Sequence, residues 1–124
     1  MSEPLGAPAW PVEIRVKQAE RTLEIDFDDG RRFRFPAEFL RVESPSAEVK
    51  GHGTGQQIVV AGRRHVGIVD VEPVGNYAIR IRFDDLHDTG IYSWAYLHNL
   101  GLRQDELWSA YLARLAQRGL SRDP

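Results

Sequence analysis

Phe27-Asp28-Asp29-Gly30 and, half a chain later, Phe83-Asp84-Asp85-Leu86 are the stretches on which the fold turns. Each closes an apolar run with an acidic turn. The first leads through Phe33 and Phe35 to Pro36-Ala37-Glu38-Phe39-Leu40. The second leads through His87-Asp88-Thr89-Gly90-Ile91-Tyr92 to Trp94-Ala95-Tyr96-Leu97. Strand, turn, strand and short amphipathic turn therefore occur twice. In the first copy Gly30 accepts the positive φ that a tight hairpin turn demands. The second copy adds a histidine, a further aspartate and the aromatics Tyr92, Trp94 and Tyr96, so specific chemistry is expected there.

Working outward from the first copy, Val12, Ile14 and Val16 alternate with Glu13, Arg15 and Lys17, the period of a half-buried strand. Leu23, Ile25 and Phe27 alternate with Glu24 and Asp26 in the same way, so residues 12–35 read as a three-strand meander. Residues 36–40 read as a short helical turn. Ser44 is placed to cap another, with Pro45 at its first position and Gly51 as its stop. Gly51-His52-Gly53-Thr54-Gly55 follows as a glycine-rich loop. Residues 58–60, 66–71, 77–83 and 89–92 read as further strands. Ser93 caps a short helix ending at Gly101. A longer helix over 104–118 carries the apolar stripe Leu107, Trp108, Tyr111, Leu112 and Leu115. Asp105 and Glu106 in its first turn and Arg118 in its last suit the helix dipole.

The expected domain is α+β: mainly antiparallel, of about seven strands, with short helical turns and a C-terminal helix. Residues 1–11, rich in proline, read as a flexible lead from which Trp10 folds back. Residues 12–101 form the β-rich domain, 102–120 the helix packed on it, and 121–124 a frayed tail. Strand and helix do not alternate, so a doubly wound nucleotide fold is not expected.

A chain of 124 residues, 42% hydrophobic and 27% charged, has the size and composition of one globular domain. Its net charge of -2 provides no global basic field, so neither nucleic acid nor an anionic membrane is an expected partner. The sequence has no cysteine. Disulfides, thiolate metal sites and cysteine-ligated clusters are thereby excluded within it, and a reducing cytoplasm fits. No apolar run has the length of a membrane span, and residues 1–11 lack the basic-then-apolar order of a secretory signal.

Three blocks carry a family resemblance. The first is Leu40-Arg41 with Ser44-Pro45-Ser46-Ala47-Glu48-Val49 and Gly51-His52-Gly53. The second is Val66-Gly67-Ile68 with Pro73-Val74-Gly75-Asn76-Tyr77-Ala78. The third is Phe83-Asp84-Asp85, His87-Asp88-Thr89-Gly90-Ile91-Tyr92-Ser93-Trp94 and Leu97. Together they resemble the gamma-butyrobetaine hydroxylase-like N-terminal domain, a domain of unknown function, over roughly residues 12–101, in the stand-alone form found in bacteria. In the hydroxylases a similar domain precedes an iron- and 2-oxoglutarate-dependent catalytic domain and holds a structural zinc through three cysteines and a histidine. A related domain also ends some Mrp-type P-loop ATPases that carry iron–sulfur clusters. The resemblance puts the three cysteine positions at Ser44, Ser46 and Val49 and the histidine at His87. One ligand type of four is kept, so the zinc site is not carried over. The iron site of the catalytic domain has no counterpart, since only helix follows Gly101.

Asp84, Asp85, His87 and Asp88 crowd one turn. Carboxylates and imidazole suit iron or another hard cation. Equally, Asp28-Asp29 builds the same turn without a histidine, by side chains bonding their own backbone. The spacing matches neither a calcium loop nor a helical metal pair. A single iron or zinc ion would use His87, His52 and Asp85, with Glu48 as a further candidate. His65 and His98 read as hydrogen-bonding loop or capping residues. The glycine-rich loop lacks the lysine and hydroxyl of a phosphate cradle. Ser44 and Ser46 are nucleophiles only beside a base, and Arg63-Arg64 is too short for a nucleic-acid site. Asp84, Asp88, Tyr92 and Trp94 form the expected interaction surface if the aromatics are exposed rather than core.

The expected function is a non-catalytic binding or accessory module of the cytoplasm. It acts through another protein or a metal-linked client. The alternative is a metal-binding protein serving iron–sulfur or iron-enzyme metabolism. A hydrolase ranks last for want of a nucleophile–base pair.

Overall fold

The computed structural model describes residues 9–46 and 59–124. Two meanders built on one plan account for most of it. In the first, β1 (Pro11–Lys17), β2 (Thr22–Phe27) and β3 (Arg32–Pro36) pair antiparallel in the order β1-β2-β3, and α1 (Ala37–Val42) follows. In the second, β4 (Ile68–Val74), β5 (Ala78–Phe83) and β6 (Ile91–Ser93) pair in the order β4-β5-β6, and α2 (Trp94–Leu102) follows. α3 (Gln104–Gln117) comes last.

The copies agree in detail. β1 and β4 each have a register irregularity near their start, at Pro11/Glu13 and Ile68/Asp70. At the turns, Phe27 N–H donates to Arg31 O at 2.8 Å and Gly30 N–H to Phe27 O at 3.1 Å. Phe83 N–H donates to His87 O at 3.0 Å and Leu86 N–H to Phe83 O at 3.3 Å. The near-repeat in the sequence is therefore a repeat of backbone geometry.

Period-2 alternation puts Leu23, Ile25 and Phe27 of β2 into the core, with Ile79, Ile81 and Phe83 of β5. Their outward neighbours form cross-strand ion pairs: Arg15 with Glu24 and Asp26, Arg82 with Asp70, and Arg80 with Glu72. Such pairs on a wet sheet face contribute little to stability and serve mainly to keep that face solvated. Leu97 and Leu100 of α2 and Phe39 and Leu40 of α1 close the same core. Ser93 caps α2, its Oγ accepting from Tyr96 N–H at 3.0 Å. On α3 the buried stripe is narrower than expected: Tyr111 and Leu115 are buried, Leu107 and Trp108 half-buried, and Leu112 exposed.

Two expectations need correction. Six strands, not about seven, are present among the described residues. Ile58 lies outside them, and Val59 and Val60 belong to no strand. They pack instead on the small cluster of Val42, Tyr111 and Leu115, and Val60 O accepts from the Tyr111 hydroxyl at 2.6 Å. A side chain has taken the acceptor that a neighbouring strand would have used. The second correction concerns residues 121–124, expected as frayed. Gly62 N–H donates to Ser121 O at 2.9 Å and Arg64 N–H to Arg122 O at 3.0 Å, so this segment is docked. The helix expected after Pro45, the glycine-rich loop, Glu48 and His52 lie outside the described residues. No helix among the described residues is long and apolar enough to cross a membrane.

Candidate functional site

Each acidic turn holds its own half and grips the other. Asp28 N–H donates to Trp10 O at 2.8 Å, while its Oδ1 accepts from Trp10 N–H at 3.1 Å. Asp84 does the same with Gly67, both bonds being 3.0 Å long. The first aspartate of each pair is thus a latch on the entry to β1 or β4. The second aspartate accepts an amide two residues on: Arg31 N–H to Asp29 at 3.0 Å, His87 N–H to Asp85 at 3.2 Å. Its other oxygen reaches the helix of the opposite half. Asp29 Oδ2 meets His98 Nε2 of α2 at 2.7 Å, and Asp85 Oδ2 accepts from Arg41 Nε of α1 at 2.8 Å. Asp85 also accepts from Arg63 Nε at 2.7 Å.

Burial works against the ionised form of Asp85, but Arg41, the His87 amide and Arg63 outweigh it and hold the carboxyl below its ordinary 3.8. A carboxylate with a lowered folded-state pKa stabilises the fold fully above its unfolded value and loses that contribution as pH falls through the folded one. Wild type is therefore expected to lose stability more steeply below about pH 4 than Asp85→Asn does. Urea midpoints measured across that range check this.

The two halves differ where the chemistry concentrates. In the first, the Phe33 ring lies over Gly101, where an added β-carbon would sit 2.4 Å from Phe33 Cγ. In the second, Gly90 takes the place of Phe33, and the small polar Ser44 takes that of Gly101. A β-carbon on Gly90 would lie 2.6 Å from Ser44 Oγ and 3.0 Å from the Tyr92 ring. The missing aromatic leaves room for a polar cross-link. Ser44 Oγ and His87 Nε2 share a hydrogen bond of 2.9 Å, and Ser46 Oγ lies 3.4 Å from the same nitrogen. Ser44 is fully buried and His87 is 7% exposed. Tyr92, also buried, donates its hydroxyl to Leu40 O at 2.5 Å, and burial pushes that phenol well above its ordinary pKa.

Ser44 has the role of a helix cap in the sequence; the structure sets the base of His87 beside it. The pair has the contact that nucleophilic catalysis needs, but its oxygen is enclosed by His87, Ser46, Gly90 and Tyr92. In this geometry the Ser44 hydroxyl has no exposed surface, and the pair links the end of α1 to the β5–β6 turn.

The other expected site residues separate. Tyr92 and Trp94 do not form a surface: Tyr92 has 0% and Trp94 8% exposure, and the Trp94 indole donates to Asn76 O at 3.0 Å. Strand alternation turned Tyr92 inward, at the position equivalent to Phe35. Asp84 and Asp88 are exposed. Between them Leu86 is 91% exposed, with φ of +73°, where Gly30 of the first turn has +87°. Aligning the two turns would have revealed it, since leucine there faces the conformation that its twin meets with glycine.

No group of three His, Asp or Glu side chains placed to hold a metal ion is present among the described residues. The resemblance predicts that positions 44, 46, 49 and 87 converge, and Ser44, Ser46 and His87 do. Val49 lies outside the described residues. Two hydroxyls and an imidazole do not match the thiolate-rich donor set of a structural zinc site, so the described residues do not fit an ion held in that way.

This duplicated meander-and-helix fold is shared with known proteins. The model of the family described as "Gamma-butyrobetaine hydroxylase-like, N-terminal" matches residues 14–98, and the chain belongs to that family. Two proteins with solution NMR structures are similar to it. One is 47% identical with a TM-score of 0.83, covering 95% of this chain and 93% of that one. The other is 44% identical with a TM-score of 0.83, covering 100% and 92%. A crystal structure of a DUF971-family protein of unknown function from Acidithiobacillus ferrooxidans is 42% identical with a TM-score of 0.63, covering 81% of this chain and 98% of that one. No curated protein matches.

Proposed function

We propose that this chain is a non-catalytic accessory module of the cytoplasm that binds another protein through its β5–β6 turn. Leu86 carries the reading. A left-handed conformation costs a residue with a β-carbon about 1–2 kcal/mol. At 91% exposure Leu86 offsets almost none of that by burial. The twin turn makes the same backbone hydrogen bonds with glycine, so the fold itself does not call for leucine. An apolar side chain held out at a strained position, between exposed Asp84 and Asp88, fits a partner with an apolar pocket and a basic rim. Asp85 and His87 support the turn from beneath through Arg41 and Ser44. With the Asp85 carboxylate already held by two guanidinium groups, no observation favours a metal reading over this one.

Leu86→Gly is expected to leave the chain folded, with stability unchanged or raised by up to about 1 kcal/mol in urea unfolding, since relief of strain is offset by glycine's greater backbone entropy. The same variant is expected to lose the partner that wild type enriches from its native cells. Equal enrichment of that partner by both forms would overturn the proposal.

A further inference from the structure

α1, α3 and the segment 121–124 build a second polar site, and Pro124 at the end of that segment lines a cavity with Asp84 and Asp85 of the second acidic turn. Glu38, at the start of α1, is only 6% exposed. Both its oxygens accept from one guanidinium: Arg122 Nε donates to Oε2 at 2.8 Å and Nη2 to Oε1 at 2.7 Å. The Arg122 guanidinium carbon sits 5.2 Å from the centre of the Trp108 ring, so the cation is gripped by a carboxylate fork and an aromatic face together. Phe39 meets Trp108 edge-on at 6.4 Å and holds its plane. A cavity of about 230 Å³ lies against this pair, lined also by Pro36, Gln104 and Asp105, whose carboxylate adds further negative charge.

The acid and the cation are held very differently. Glu38 and Trp108 belong to helices packed on the core. Arg122 belongs to the segment 121–124, tied to residues 62–64 by the two backbone hydrogen bonds to Ser121 and Arg122 and by an exposed Arg64–Asp123 pair. Such a segment opens locally at far less cost than the helices beneath it. A buried carboxylate is also a poor choice for stability alone, because an apolar pair of similar volume serves as well. What the arrangement provides is a preformed receptor for a planar, forked cation.

We infer that the Glu38–Trp108 pocket is a guanidinium-binding site, occupied here by the chain's own Arg122 and open to a guanidinium from elsewhere when residues 121–124 lift. Lysine is a weaker match, since an ammonium lacks the planar fork and stacks less well on an indole. The adjoining cavity gives an incoming side chain room for its stem.

The intact chain provides the first test, by NMR with methylguanidinium and, separately, methylammonium at the same millimolar concentration. Methylguanidinium is expected to shift the Trp108 indole signal and to speed amide exchange at Gly62 and Arg64, whose bonds the lifting segment breaks. Methylammonium is expected to do neither. In Arg122→Ala the affinity for methylguanidinium should rise at least ~10-fold over the intact chain, and Glu38→Gln in that background should abolish it. Comparing methylguanidinium with N-acetyl-arginine-methylamide separates a small guanidino compound from an arginine within a chain. Exchange at Gly62 and Arg64 that follows only global unfolding and is indifferent to methylguanidinium would overturn the inference, whether or not Arg122→Ala folds.

Discussion

Asp85→Ala is expected to cost about 3–5 kcal/mol, whereas Asp29→Ala, its twin, should cost clearly less. The two carboxylates make the same turn and reach the same place on the opposite helix. They differ in what they neutralise. The Arg41 side chain is 9% exposed, and its Nη1 already lies buried without a partner. Removing Asp85 takes away the carboxylate that pairs with that guanidinium among the described residues, and the partner of Arg63 as well. His98, the partner of Asp29, is wetter, with 19% of its side chain exposed. Urea unfolding of both variants checks the asymmetry. The Asp85–Arg41 double-mutant cycle should return a coupling well above that of Asp29–His98. Equal costs would mean that the second turn is no more deeply committed than the first.

Gly101→Ala is expected to destabilise by about 1–3 kcal/mol even though alanine is the better helix former. The new β-carbon would fall 2.4–2.5 Å from three atoms of the Phe33 ring. Those are the near atoms of a ring that also packs on Phe27, Phe35 and His98, so it has nowhere easy to turn. Phe33→Ala should be costly alone but should remove the penalty of Gly101→Ala, giving a non-additive pair in denaturant titrations. A simple sum of the two single effects would show that the ring and the helix do not meet as described.

The acidic-turn repeat was readable because its determinants are local. Alternation marks the strands of both meanders, and a turn glycine and a following proline punctuate the first, all within a few residues of one another. The Ser44–His87 link was not readable in the same way. It depends on Gly90 leaving space that Phe33 fills in the other half, a fact about packing across the duplication. Only the family resemblance placed 44, 46 and 87 together in advance, and it did so through a metal these residues do not suit. The burial of Tyr92 and Trp94 likewise came from which strand face met the second helix. The docking of Arg122 depended on an acid 84 positions away.

Strand period, turn chemistry and helix caps were thus determined by the sequence itself, because each rests on backbone preferences of residues within a few positions of one another. Which helix each aspartate grips, which aromatics are hidden, and whose guanidinium fills the Glu38 pocket were decided only when the halves packed. Those choices rest on shape and desolvation between segments far apart in the chain, where neighbouring residues carry no record of the partner.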